Sequence, residues 1–272
     1  MSMDRRQFLK LATGVTAAGL AGSLPLRGFA DTPGRIRAVL FDAFPVFDPR
    51  PVFALANRMF PADTGFVELW RSKQFEYTWL RTVGGSYQDF WSVTRDALRF
   101  SAKARKLSLS GADEDTLMGA YLKLDAWPDV LPALRTLQAS GLRLGFLSNF
   151  TGEMLESCTR HAGLAGLFDH MLSTDQVRVF KPHPLTYQLG LDTFGLKRRE
   201  IAFAAFAGWD AVGARWFGYP TFWVNRLQQP AEELGIAADA MGNDLGGLVD
   251  FVRQHSSAAP LPTPPSRRTM RR

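Results

Sequence analysis

Short apolar runs alternate with amphipathic segments over most of the chain. Residues 36–41 form one such run, which ends at Asp42, and residues 142–147 form a second run after Gly141. Apolar runs of this length, bounded by polar residues, are typical of buried parallel strands. The same pattern predicts further strands and intervening helices, the strands near 171–173, 201–206 and 221–224 and the helices near 129–140, 152–162 and 184–194.

This alternation of strands and helices predicts an α/β fold, a doubly wound parallel sheet with helices on both faces. Residues 50–126 break the pattern, because they contain no clear strand but long helical periodicity at 66–81 and 87–105. We therefore predict a helical cap domain at 50–126, inserted into an α/β core domain formed by 31–49 and 127–255. Ligands of such sheets bind beyond the carboxyl ends of the strands, which the cap is expected to cover.

The two ends of the chain carry its positive charge. The net charge is +6, and subtracting +3 for residues 1–30 and +4 for residues 256–272 leaves −1 for residues 31–255. The body therefore has no electrostatic basis for binding a phosphate-rich partner, and no nucleic-acid partner is expected. The tail at 256–272 contains four prolines and four arginines, a composition that predicts disorder.

The first thirty residues resemble a twin-arginine export signal. Arg5 and Arg6 precede a polar residue, a phenylalanine and a leucine, and a weakly apolar stretch then continues to Leu26. A small-x-small pattern ends at Ala30, which suits cleavage there. The apolar stretch is too short and too interrupted for a comfortable membrane span. We predict a signal peptide at 1–30, the twin-arginine export machinery as a partner, and a bacterial periplasmic or secreted location.

Neither the cysteine nor the histidines indicate a cross-link or a metal site. The single cysteine, Cys158, excludes an internal disulfide and is predicted to be a small buried hydrophobic residue. The four histidines, His161, His170, His183 and His255, lack the spacing of metal ligands. No cofactor and no metal are expected.

Reactive side chains stand where the predicted strands end. Asp42 ends the first strand, Ser148 and Asn149 end the second, Asp210 follows the penultimate one, and Lys181 lies in a loop between. A carboxylate beside a lysine stays ionised and can attack carbon or phosphorus to form a covalent ester. A second carboxylate can then direct water at that ester. This chemistry needs no metal.

Several longer stretches make a family resemblance specific. The chain is similar to the type II L-2-haloacid dehalogenases of the haloacid dehalogenase superfamily from about Val39 to Arg226, in the stretches FDAF, LWRSKQFEYTWLR, YQDFWSVTRDALRF, LSNFT, DHMLSTDQVRVFKPHPLTYQL and GWDAVGARWFGYPTFWVNR. The resemblance implies a Rossmann-like core with a cap. It also implies a hydrolase that cleaves carbon–halogen bonds of small 2-haloacids, or acts on related carboxylates.

The resemblance assigns catalytic roles to three residues. Asp42 would displace halide from the α-carbon with inversion and become an aspartyl ester. Lys181 would pair with Asp42, and Asp210 would position the hydrolytic water. Tyr187 would support this network.

The resemblance also implies five residues that bind substrate or halide. Arg71 would bind the substrate carboxylate or the departing halide, and Phe90 and Trp209 would help to line the halide pocket. Ser148 and Asn149 would bind the substrate carboxylate.

Two segments depart from the family pattern. The first family motif continues Asp-x-Tyr-Gly-Thr-Leu-Phe-Asp, whereas this chain is one residue shorter between Asp42 and Asp48 and lacks the Gly-Thr pair. Residues 205–208, Ala-Phe-Ala-Gly, replace a segment that contains Ser-Asn in the family. Each departure removes polar groups beside the nucleophile or the water site, so the pocket is expected to be more apolar than usual.

Two other functions compete with the dehalogenase interpretation. Phosphatases of the superfamily carry an acid two residues after the nucleophile, where this chain has Phe44, and a carboxylate pair for Mg²⁺, of which only Asp210 is evident. A catalytically weak or silent member that binds a small carboxylate or a protein partner is the second alternative. The aromatic faces of the predicted cap helices fit either a homodimer or packing on the core.

Overall fold

The computed structural model describes residues 35–256. The predicted export signal at 1–30 lies outside the described residues, and so does the predicted tail except for Ser256, which ends the last helix. Among the described residues, no helix is both long enough and apolar enough to cross a membrane.

A parallel sheet of six strands forms the centre of the fold, in the order β3-β2-β1-β4-β5-β6. The strands are β1 (Ala38–Phe41), β2 (Arg143–Ser148), β3 (His170–Ser173), β4 (Ile201–Ala205), β5 (Thr221–Val224) and β6 (Ala240–Gly242). The chain leaves β1 towards β2 and β3 on one side and later returns to β4 on the other side. The predicted doubly wound sheet is confirmed, and its switch point lies beside β1, where such folds bind ligands.

Ten α-helices accompany this sheet in the described part of the chain. They are α1 (Ala43–Val46), α2 (Arg50–Met59), α3 (Phe66–Val83), α4 (Phe90–Ala104), α5 (Gly111–Ala120), α6 (Val130–Ala139), α7 (Gly152–His161), α8 (Pro184–Phe194), α9 (Gly208–Phe217) and α10 (Leu245–Ser256).

Alternate residues of β1 point into two separate apolar cores. Val39 and Phe41 belong to the larger core, which includes residues of α6, α7 and α10. Ala38 and Leu40 belong to the smaller core, which includes residues of α8 and α9. Since all four side chains are fully buried, β1 is hydrophobic throughout, as expected of a strand covered on both faces.

Helices α2 to α5 form the segment between β1 and β2 that was predicted as a helical insertion. Trp70 and Gln74 of α3 donate hydrogen bonds of 2.9 and 2.7 Å to Thr94 of α4. The two linkers of the segment run side by side, because Phe47 forms an antiparallel bridge with Ala126. The helical segment therefore leaves and re-enters the rest of the fold at one place.

Two polar contacts join this helical segment to the loops that follow β3. The Phe180 N–H donates to Thr82 Oγ1 of α3 at 3.0 Å. The Tyr87 hydroxyl donates to the Asp175 carboxylate. These contacts hold the segment over the carboxyl ends of the strands.

The structure corrects several details of the sequence prediction. β1 begins at Ala38 rather than at residue 36, and the short strand β6 was not predicted. Asp42 is followed directly by the four-residue helix α1, where no helix was expected. Cys158 is buried as predicted and donates to the Tyr121 carbonyl at 3.1 Å, and burial raises its pKa to about 11.

Gly213 of α9 leaves room for a buried tyrosine. A Cβ at this position would lie 2.5 Å from the Tyr187 hydroxyl and 2.6 Å from Pro182 Cβ. We expect Gly213→Ala to lower the free energy of unfolding by about 1–3 kcal/mol, because the substitution overpacks a filled site. Urea denaturation measures this change.

Gly119→Ala in α5 is the matched control, since a Cβ there meets nothing within 4 Å. Alanine should stabilise this helix by about 0.5–1 kcal/mol. An equal change of the unfolding free energy in both variants would show that the packing around Tyr187 is looser than these distances indicate.

Candidate active site

Asp42 lies at the carboxyl end of the central strand. Its backbone N–H donates to the Ala204 carbonyl of β4 at 3.0 Å, which fixes the residue between β1 and β4. Its Oδ1 accepts hydrogen bonds from Ser148 Oγ and from Lys181 Nζ, both at 3.0 Å. No donor from the described residues reaches Oδ2, so this oxygen is the one available for attack.

Lys181 carries a buried positive charge between two carboxylates. Its side chain is 1% exposed, and Nζ lies 3.0 Å from Asp42 Oδ1 and 2.7 Å from Asp210 Oδ2. Burial by itself lowers the pKa of Lys181, but the charges of Asp210 and Asp42 outweigh it and raise that pKa above its ordinary value. Lys181 is therefore a fixed cation.

Asp210 lies behind Lys181, in the first turn of α9. Its Oδ2 accepts from Lys181, and its Oδ1 accepts from the Tyr187 hydroxyl at 2.7 Å. Burial raises the pKa of Asp210 to about 6; Lys181 opposes this rise and the charge of Asp42 adds to it. Above that pH the two carboxylates share one ammonium group.

A second tyrosine, which the sequence analysis did not identify, supports Tyr187 from behind. The Tyr219 hydroxyl donates to the Tyr187 carbonyl at 2.6 Å, and both side chains are fully buried. Burial raises the pKa of Tyr187, and the Asp210 charge raises it further. Tyr187 therefore stays protonated and donates to Asp210. The hydroxyl of a buried tyrosine usually finds a hydrogen-bond partner. This general expectation was the only indication in the sequence that Tyr219 has such a role.

A cavity of about 190 Å³ opens beside Asp42. Its lining comes from both the strand ends and the helical segment: Asp42, Phe44, Pro49, Phe53, Arg71, Gln74, Phe75, Phe90, Ser148, Asn149, Phe150, Phe206, Ala207 and Trp209. Six of the nine predicted site residues line it. Lys181, Tyr187 and Asp210 do not, and form a buried layer behind Asp42 instead.

Arg71 supplies the positive charge of this cavity. Its guanidinium lies over the Phe53 ring, 4.7 Å from the ring centroid. No acidic side chain of the described residues forms an ion pair with it. A cation left without a carboxylate in an enclosed cavity is suited to bind an anion.

Asn149 presents hydrogen-bond donors to the same cavity. Its Oδ1 accepts the backbone N–H of Lys181 at 3.1 Å, and this bond fixes the orientation of the amide. The NH₂ group of Asn149 has no acceptor among the described residues. Ser148, the other strand-end residue, is already bonded to Asp42.

The remaining side of the cavity is an aromatic wall formed by Phe44, Phe150 and Phe206. The Phe44 ring centroid lies 5.2 Å from that of Phe150 and 5.5 Å from that of Phe206. Phe44 and Phe206 belong to the two segments that depart from the family pattern. The two departures therefore make the cavity that Asp42 lines less polar, as expected.

The part of the chain that the structure describes contains no cluster of three or more histidine, cysteine, aspartate or glutamate residues that could hold a metal ion. Phe44 is buried at the position where a phosphatase of the superfamily has its second acid. The donor set therefore fits attack of the carboxylate on carbon better than Mg²⁺-dependent phosphoryl transfer.

Comparison with known proteins agrees with this geometry. The sequence profile of the haloacid dehalogenase-like hydrolases matches residues 46–218. The chain is 39% identical to an (S)-2-haloacid dehalogenase of Pseudomonas sp. (strain YL), over 79% of this chain and 94% of that one. A crystal structure of an L-2-haloacid dehalogenase superposes with a TM-score of 0.79 and 44% identity, covering 81% of this chain and all of that one.

A further solved structure contains a covalently bound small acid. The L-2-haloacid dehalogenase of Xanthobacter autotrophicus, with chloropropionic acid covalently bound, superposes with a TM-score of 0.74. It is 33% identical, and the match covers 82% of this chain and 100% of that one.

The raised pKa of Asp210 makes stability depend on pH. A carboxyl group whose pKa rises on folding, here from 3.8 to about 6, stabilises the folded state fully below the lower value. That contribution is lost as the pH rises through about 6. Relative to Asp210→Asn, the wild-type protein should therefore lose up to about 3 kcal/mol of unfolding free energy between pH 4 and pH 7.

Urea denaturation at several pH values measures this difference. Asp115→Asn, at an exposed position of α5, is the control and should keep the wild-type pH dependence. Parallel curves for wild type and Asp210→Asn would contradict a raised pKa at Asp210.

Proposed function

The chain belongs to the haloacid dehalogenase-like hydrolases, and from this premise we propose that it cleaves the carbon–halogen bond of small 2-haloacids. The proposal rests on the hydrogen bonds and the surroundings of the Asp42 carboxylate. Its Oδ1 is held by Ser148 and Lys181, its Oδ2 has no donor among the described residues, and Asp42 lines a cavity that Arg71 also lines. The covalent chloropropionic acid complex of the Xanthobacter autotrophicus relative supports an ester intermediate.

In the first step, Asp42 Oδ2 attacks the α-carbon of the haloacid. The new bond joins Oδ2 to that carbon, and the carbon–halogen bond breaks with its electron pair leaving on the halide. Arg71 and the Asn149 NH₂ group are the donors that can hold the substrate carboxylate and the departing halide. Phe90 and Trp209 exclude water around the halogen, which strengthens these electrostatic interactions.

In the second step, water attacks Cγ of the Asp42 ester. The Cγ–Oδ2 bond breaks, one water proton ends on the product hydroxyl, and the other is released to solvent. Negative charge develops on Oδ1 during this attack. Ser148 Oγ and Lys181 Nζ already lie 3.0 Å from Oδ1 and can stabilise that charge.

Asp210 contributes in this scheme through Lys181. Both of its oxygens are bonded, and it does not line the cavity. Direct contact of Asp210 with the hydrolytic water stays a prediction. Its position supports a role in keeping Lys181 charged and aimed at Asp42.

Asp42→Asn should abolish halide release, because a neutral amide is a very poor nucleophile. We expect no activity towards (S)-2-bromopropionate in a halide-release assay and no covalent adduct by intact-mass spectrometry. Asp115→Asn, a change of the same kind on the surface of α5, should keep wild-type activity.

Isotope labelling separates this mechanism from direct hydrolysis. A single turnover in ¹⁸O-water should place the label in the Asp42 carboxylate. Label found only in the product would exclude the aspartyl ester. No halide release from any haloacid would favour the alternative of a silent member that binds a carboxylate or a protein partner.

We also propose that the protein is exported through the twin-arginine machinery to the periplasm or beyond. The order of paired arginines, apolar stretch and small-x-small site at residues 1–30 supports this proposal. A homodimer through the aromatic faces of the helical segment stays a prediction.

Replacement of both Arg5 and Arg6 by lysine should block export without changing the folded protein, because the signal is recognised through the arginine pair. Cell fractionation followed by immunoblotting measures the distribution. Lys10→Arg, which keeps the charge of the segment, should leave export intact. Periplasmic accumulation of the double variant would exclude this route.

A further inference from the structure

The two proposed steps place different demands on the cavity. Attack on the α-carbon needs an exposed carboxylate oxygen and donors for an anion, and Asp42, Arg71 and Asn149 provide these groups. Ester hydrolysis needs, in addition, a group that orients the water and accepts its proton. General bases of this kind typically contribute about 10²–10⁴ in rate.

Among the described residues, no such base lines the cavity itself. Among its lining residues, Asp42 is the only carboxylate and there is no histidine. When the ester forms, Asp42 itself is consumed. Asp210, the residue predicted to position the water, lies behind it, and each of its oxygens already accepts a hydrogen bond of 2.7 Å, one from Lys181 and one from Tyr187, which leaves only its remaining lone pairs for a water molecule.

Phe44 and Phe206 line the cavity together with Asp42, and their ring centroids lie 5.5 Å apart. Both backbones are fixed by buried tryptophans. Trp127 Nε1 donates to the Phe44 carbonyl at 3.0 Å, and Trp223 Nε1 donates to the Phe206 carbonyl at 2.9 Å. Two anchored phenylalanines offer water no hydrogen bond at this position, so the apolar wall is a built feature of the site.

We infer that hydrolysis of the Asp42 ester, and not attack on the haloacid, limits turnover, and that Phe206 sets the rate of this second step. The inference rests on the proposed function. It makes the ester the species that accumulates, so that each enzyme molecule releases its first halide quickly and later ones slowly.

Rapid mixing of the wild-type enzyme with excess (S)-2-bromopropionate tests this order of rates. Bromide release should show a burst that approaches one equivalent per enzyme, followed by a slow linear phase. Intact-mass spectrometry during the slow phase should find most of the protein carrying one carboxyethyl group. Linear release without a burst, from unmodified protein, would overturn the inference and leave the proposed function standing.

Two substitutions of Phe206 distinguish an effect of side-chain polarity from an effect of side-chain volume. Phe206→Ser places a hydroxyl beside the ester and should raise the slow-phase rate by about tenfold or more, since one well-placed hydrogen-bonding group is worth about 10²–10³ in rate. The burst rate should change little. Phe206→Leu keeps an apolar side chain and should retain the wild-type slow phase.

An equal acceleration by serine and leucine would assign the effect to space rather than to polarity and would overturn the role given to Phe206. Glu232, an exposed carboxylate whose side chain lies against Gly208, provides a further control. Glu232→Gln should leave both phases unchanged, and loss of the slow phase would show that Glu232 activates the water and would overturn the role given to Phe206. No halide release with any haloacid would overturn the proposed function and this inference with it.

Discussion

The site depends on one buried ammonium group shared by two carboxylates. Lys181 lies between Asp42 and Asp210, and these three residues come from a loop after β3, the end of β1 and the first turn of α9. Loss of one partner of a buried ion pair typically costs about 3–5 kcal/mol, because the remaining charge is left uncompensated. The folded chain avoids this cost only when the strand order brings all three segments together at the carboxyl edge of the sheet.

The packing behind this group is shaped to keep it in place. Tyr187 bonds to Asp210, and Tyr219 bonds to the Tyr187 carbonyl. Glycines make this arrangement possible: a Cβ at Gly213 would clash with the Tyr187 hydroxyl, and a Cβ at Gly190 would lie 2.5 Å from that of Tyr219. The support of the nucleophile thus extends through the smaller core to Tyr219, just after the end of α9.

The front of the site has the opposite character. Its cavity joins one carboxylate, one arginine and a few neutral donors to a wall of phenylalanines. Such a surface suits displacement of a halide from a small acid, because an apolar lining strengthens the interaction of the two charges with the substrate. The same apolar wall offers no hydrogen bonds to a water molecule. The cavity therefore suits halide displacement better than hydrolysis of the ester.

The amino-acid pattern alone predicted the fold class, the helical insertion and which side chains end the strands. Hydrophobic periodicity and the order of strands and helices are local properties, and the carboxyl ends of parallel strands must share one edge. β6 escaped prediction because Ala240–Gly242 is only three residues long and lacks a buried apolar run. The depth of each group became clear only in the folded chain, where Asp210 lies behind Lys181 and Phe44 packs against Phe206. Depth and contact depend on the packing of segments far apart in the chain, which no local pattern records.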